Sequence, residues 1–139
     1  MLRTLISIVS LLTLMAFVPA FAADSGKAAS KTACETSCCS TTCSKCQKVC
    51  EDALAYCKKK GGEHAKKEHL DTLKDCIALC RASADLGGRK SALAAKVHAL
   101  CAEACRKCAE SCKSLNDKKL DNCVEQCNTC ADACEKASK

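Results

Sequence analysis

Aromatic side chains are almost absent from this chain: they make up 2% of its 139 residues, and there is no tryptophan. From Ala23 onward Tyr56 is the sole aromatic, and methionine, phenylalanine and proline do not occur. No platform is left on which single-stranded nucleic acid could stack. The net charge of +6 comes from scattered lysines, which reads as a solvated surface and not as a nucleic-acid footprint. β-Branched residues are sparse and no stretch alternates apolar with polar, so strands are not expected. Large apolar side chains are few; Val49, Leu54, Leu70, Leu73, Ile77, Leu79, Leu93, Val97, Leu100, Leu115, Leu120 and Val124 are most of them. Cysteine, in contrast, occurs 17 times. Because a buried cysteine behaves as a small hydrophobe, Cys and Ala take the positions that Leu fills in an ordinary bundle.

Residues 1–22 read as a secretory signal peptide that is removed. Met1-Leu2-Arg3 is a positive start, Leu5 to Val18 is an apolar run short for a membrane span, and Ala20-Phe21-Ala22 is a cleavage site. No twin arginine is present and no cysteine lies near the cleavage point, so export of an unfolded chain is expected and a lipid anchor is not. The product is placed in the periplasm or outside the cell, away from the membrane. Residues 23–31 form a flexible lead-in, and 32–137 one small domain.

Glycines punctuate that domain. Thr32-Ala33-Cys34-Glu35 has the form of a capping box, so a first helix runs from Thr32 to Lys60 and stops at Gly61-Gly62. A second fits Glu63 to Asp85, ended by Gly87-Gly88, and a third fits Arg89 to Lys113. Asn116-Asp117 caps a fourth that extends to Lys136. Four helices on short turns predict an all-α fold, an antiparallel up-down-up-down four-helix bundle.

The cysteines repeat in register. Cys39-Cys43-Cys46-Cys50, Cys101-Cys105-Cys108-Cys112 and Cys123-Cys127-Cys130-Cys134 all follow CxxxCxxCxxxC. Steps of four, three and four residues keep each quartet in a stripe about 60° wide on one helix face. The stripe continues on the first helix to Ala53 and Cys57, and on the third back to His98 and Ala94. On the second it reads His69, Leu73, Cys76, Cys80. Cys34 and Cys38 form a shorter stripe, offset by about 100° from the main one. The inward faces of four such helices would line a tube with sulfur.

Every cysteine except Cys57 belongs to a CxxxC pair. Helical i,i+4 residues hold their Cβ atoms about 5–6 Å apart, which suits one soft ion between two thiolates. A disulfide needs about 3.5–4.5 Å, and an odd thiol count cannot pair completely. The competing reading is a disulfide-stapled exported scaffold. Such scaffolds are rich in loops, however, and this chain is helical. Charge then separates the metals. One Cu(I) per displaced thiol proton leaves the core neutral, whereas each Zn(II) in four thiolates adds two negative charges to a narrow interior. Thiolates also prefer Cu(I). Iron–sulfur clusters take cysteines from loops, whereas the CxxC pairs here lie inside helices.

The CxxxC pairs on inward helix stripes resemble those of the bacterial copper storage proteins, and the resemblance covers most of the chain after the leader. It implies a cysteine-lined core holding many Cu(I) ions through bridging thiolates, assembly into homotetramers, and a stock of copper for copper enzymes. The missing methionines and the cysteine-poor second helix depart from that pattern. All 17 cysteines (the pairs above, Cys57, and Cys34 and Cys38) are candidate ligands. His69 and His98 join them on the inward stripes, as ligands or as hydrogen-bonded core residues. His64, in the first turn after Gly61-Gly62, is expected to be exposed beside the bundle mouth. A chaperone delivering Cu(I) to one partner is the alternative function, but it needs one or two sites. A thiol redox enzyme would need a thioredoxin-type fold and an exposed, acidic thiol. Nothing in the sequence supports enzymatic chemistry.

Overall fold

Four helices dominate a computed structural model that describes the backbone of residues 29–139 and the side chains of residues 39–139. They are α1 (Ala29–Lys60), α2 (Lys67–Gly88), α3 (Ala94–Ser114) and α4 (Asp121–Ala137). Single 3-10 turns, Gly62–Ala65 and Lys118–Leu120, precede α2 and α4. The described residues include no strand. The leader (1–22) lies outside the described residues, as do the side chains of Cys34 and Cys38.

Charge placement supports the helix ends. Lys58, Lys59 and Lys60 close α1, where the macrodipole is negative, and Asp121 opens α4 while Lys136 closes it. Gly61 and Gly62 have φ of 75° and 57°, left-handed values that glycine adopts without strain, and they stop α1 as expected.

Each helix packs against two neighbours in the cyclic order α1, α2, α3, α4 and back to α1. The run of contacts fixes an antiparallel bundle. Cys39 near the start of α1 meets Cys134 near the end of α4 at 3.3 Å, and Cys57 near the end of α1 meets His69 near the start of α2 at 3.4 Å. Cys80 and Cys101 meet across the α2–α3 turn, Cys112 and Cys123 across the α3–α4 turn.

Several boundaries differ from the sequence reading. α1 begins at Ala29, so Thr32 lies inside the helix and not at its cap, and residues 29–31 are helical where a flexible lead-in was expected. α2 starts at Lys67, because residues from Gly62 to Ala65 make a 3-10 turn, and it runs through Gly87-Gly88. Gly87 is buried, and a Cβ there would lie 2.5 Å from Ser40 Oγ and 3.0 Å from His98 Cε1. This glycine is a point of close approach between helices, not a stop signal. α3 begins at Ala94, five residues after the expected start at Arg89. Asp117 does cap, but it caps the 3-10 turn, accepting from the Lys119 backbone N–H at 3.0 Å.

Candidate metal centre

The 4-3-4 register turns one face of every helix to the axis, and sulfur fills it. All fifteen cysteines from Cys39 to Cys134 are free thiols and buried. Large hydrocarbon is scarce beside them; Leu73 and Leu120 are the largest fully buried side chains.

Twelve of these thiols form four sets whose sulfurs lie within 4.8 Å of one another: Cys43/Cys101/Cys130/Cys134, Cys46/Cys80/Cys105/Cys130, Cys46/Cys50/Cys76/Cys127 and Cys50/Cys108/Cys123/Cys127. The sets share corners at Cys46, Cys50, Cys127 and Cys130, so they run as one connected column along the bundle. Within it Cys43 and Cys134 are 3.3 Å apart, Cys50 and Cys127 3.5 Å, and Cys76 and Cys105 3.7 Å. The i,i+4 partners Cys39/Cys43 and Cys46/Cys50 stand 3.7 and 4.0 Å apart, too far for an S–S bond and near enough to share one ion. Cys112 joins the column through Cys123 at 3.8 Å.

Histidines stand at both ends. His98 is fully buried with Cys39 and Cys134 in a three-member set; its Nδ1 lies 2.5 Å from Ser83 Oγ and 3.7 Å from Cys39 Sγ, and its Nε2 has no partner among the described residues. His69 shares Nδ1 with Ser111 Oγ at 2.7 Å and faces Cys57 Sγ with Nε2 at 3.4 Å. Cys57, which lacks an i,i+4 cysteine, is thereby given a nitrogen neighbour. Burial lowers the His69 pKa and raises that of Cys57, which keeps this pair neutral near pH 7.

Hydrogen bonds among thiols make their ionisation unequal. Those from Cys134 and Cys43 draw Cys39 down to about 4, while Cys105 in mid-column is pushed up, led by its bond with Cys101. The first thiolate to form takes protons' worth of hydrogen bonding from its neighbours, and each further ionisation becomes harder. An interior of this kind stays neutral only when cations replace the departing protons one for one.

His64 corrects an expectation. It is 9% exposed, and its Nε2 lies 3.0 Å from Asp117 Oδ2. Tyr56 O–H donates to the same oxygen at 2.6 Å and Lys60 Nζ at 2.5 Å. Lys60, Tyr56, the Lys119 N–H and His64 together hold the Asp117 carboxyl well below the usual carboxylate range. This cluster ties the end of α1, the first 3-10 turn and the α3–α4 connection together over the Cys57 end of the column.

Ser83, Ser111 and Gly87 were missed as contributors. Two of them were detectable, since Ser83 and Gly87 continue the α2 stripe past Cys76 and Cys80 by the same steps of three and four. Ser111 lies off the α3 stripe, and no sequence signal marks it.

The comparison with known proteins agrees with this geometry. The family model described as copper storage protein (Csp) matches residues 29–139. A Nitrosospira multiformis protein of known crystal structure is 30% identical, with a TM-score of 0.70 over 75% of this chain and 94% of that one. The Cu(I)-bound copper storage protein BsCsp3 is 22% identical, with a TM-score of 0.71 over 76% of this chain and 99% of its own, a likeness of fold. No curated protein matches. A bundle whose helix faces converge on a sulfur column, matched over residues 29–139 by that family model, belongs to the copper storage protein family.

Proposed function

We propose that this protein stores and buffers Cu(I), many ions per chain, on the thiols of its bundle core. The connected column of four-cysteine sets carries this reading. A chaperone needs one or two sites; here fifteen described thiols are buried, and twelve of them form overlapping four-member sets. Thiolate is the preferred ligand class for Cu(I), and exchange of one proton per ion leaves the interior uncharged at any degree of filling.

The proposed ligands are the cysteines of the column with Cys39, Cys57 and Cys112, joined by His98 and His69 at the two ends. Cys34 and Cys38 extend the set at the start of α1. Binding and release are ligand exchange, so no catalytic role is assigned.

Export to the periplasm or beyond, as the leader suggests, and assembly into a homotetramer complete the proposal. No helix of the described residues is long and apolar enough to cross a membrane. Leu93, the residue before α3, and Leu100 on α3 are exposed apolar side chains that an assembly would cover.

Anaerobic titration of the reduced protein with Cu(I) against a competing chelator tests the reading. We expect saturation on the order of one copper per cysteine, the ratio that keeps the core neutral. Saturation at one or two equivalents would replace storage with delivery.

A further inference from the structure

The sulfur column is sealed along almost its whole length. Thirteen of the fifteen described cysteines are 0% exposed; the exceptions are Cys112 at 1% and Cys123 at 2%. These two are neighbours, 3.8 Å apart, one in the last turns of α3 and the other in the first turn of α4. Each also lines a surface cleft. Cys112 borders an open cleft of about 470 Å³ between α3 and α4, walled by Lys113, Asp121, Val124 and Glu125. Cys123 borders one of about 290 Å³ between α1 and α4, walled by Asp52, Ala53, Tyr56 and Asn122. The two clefts flank the start of α4 from opposite sides.

The adjacent end of the tube is closed. Leu120 is 1% exposed, and the Asp117 cluster with Tyr56, Lys60 and His64 lies across the chain connections there. At the opposite end Cys39, Cys134, His98 and Ser83 are 0% exposed.

From this we infer that copper enters and leaves sideways, through Cys112 and Cys123 as an exchange port beside the first turn of α4, and not along the bundle axis. The inference rests on the storage reading. The step is ligand exchange: a bond from Cu(I) to its carrier breaks as a Cu–S bond to Cys123 or Cys112 forms, the thiol proton leaves to water, and copper stays Cu(I). The α3–α4 cleft carries the carboxylates of Asp121 and Glu125 against the one ammonium of Lys113, while Asp117 at its edge is already paired with Lys60 and His64, and this balance suits a cationic form of the ion. Inward passage is then a series of short transfers. Cys123 lies 3.9 Å from Cys50, Cys50 lies 3.7 Å from Cys76, Cys76 lies 3.7 Å from Cys105, and Cys105 lies 3.7 Å from Cys80.

Brief alkylation of the reduced, copper-free full chain with neutral iodoacetamide, quenched and peptide-mapped, tests the port without copper. Among the described thiols other than Cys39, whose ionisation as well as access sets its rate, Cys112 and Cys123 should be modified first, on the order of tenfold faster than Cys57 or Cys134. Equal labelling of all these thiols, or priority for Cys57 or Cys134, overturns the port and leaves the storage reading intact. A second experiment narrows the clefts with exposed residues that are not ligands. In Glu125→Trp and Asn122→Trp combined, copper capacity should be unchanged while release to a chelator slows on the order of tenfold. Glu125→Gln separates loss of charge from loss of space. Ala78→Trp, in the cleft between α2 and α3, should leave the rate unchanged. Equal slowing by Ala78→Trp, or no slowing by the double variant, overturns the port; a wild-type capacity of one or two equivalents would instead overturn storage and leave the labelling order as it is.

Discussion

Leu73→Ala isolates how much of the apo bundle rests on hydrocarbon. Leu73 stands on the inward stripe of α2 where the other helices carry cysteine, and it is 0% exposed. Truncation removes three buried carbons and leaves a cavity among thiols whose helices cannot close on it, since their sulfurs already pack 3.3–4.0 Å apart. Large-to-small changes of this kind cost about 2–5 kcal/mol, and full burial at a rigid site places this one at about 3 kcal/mol. A domain of this size is stable by about 5–15 kcal/mol, so the loss is a large share of the total. It should lower the apo melting temperature by roughly 10–20 °C. Copper should mask much of the effect, because a ligand that prefers the folded state stabilises it by mass action. The assay is thermal and chemical unfolding of wild type and variant, reduced and copper-free, then filled. A change under about 1 kcal/mol in the apo protein would refute the reasoning and mean that thiol packing, not Leu73, holds α2 in place.

Gly87→Ala should destabilise the protein by about 1–3 kcal/mol despite the better helix propensity of alanine, because the new methyl meets Ser40 and the pinned His98 ring; unfolding by denaturant checks it, and a gain in stability would contradict it. Asp117 predicts the acid limb. Its folded pKa is depressed, so its contribution is complete above the unfolded value of about 3.9 and fades as pH falls below it. Melting temperature should therefore fall between pH 5 and pH 2 more steeply in wild type than in Asp117→Asn, about the range over which such a carboxylate regains its proton. Ser83→Ala should leave copper capacity within one equivalent of wild type but weaken the most tightly buried histidine site, read as a weaker competition against a chelator, since Ser83 fixes the His98 ring.

The helix stripes were legible because burial at a 4-3-4 spacing has one geometric solution, and Cys39 through Cys134 occupy it as the sequence implied. The same rule extended by two steps would have placed Ser83 and Gly87. The local signals were less dependable. Gly61 ended a helix because its left-handed φ was needed there, whereas Gly87 lies inside one because Ser40 and His98 leave no room for a side chain, and α2 ends only at Gly88. Thr32-Ala33-Cys34-Glu35 has the letters of a cap but lies within α1. His64 reads as a surface residue in the sequence because its partner, Asp117, is 53 positions away, a distance no local pattern spans. The identity of the clefts beside α4 depends on how far neighbouring helices stand apart, which residue type does not encode.

The four-cysteine sets overlap at Cys46, Cys50, Cys127 and Cys130. Cages that hold their corners in common cannot all be filled on equal terms. The first ions can each draw three or four sulfurs, but later arrivals must divide thiolates already engaged, so coordination number falls as occupancy rises. Grip should therefore slacken gradually across the titration instead of switching off at one free-copper level. A vessel built this way yields its last-admitted ions to weak acceptors and keeps its first against all but strong ones.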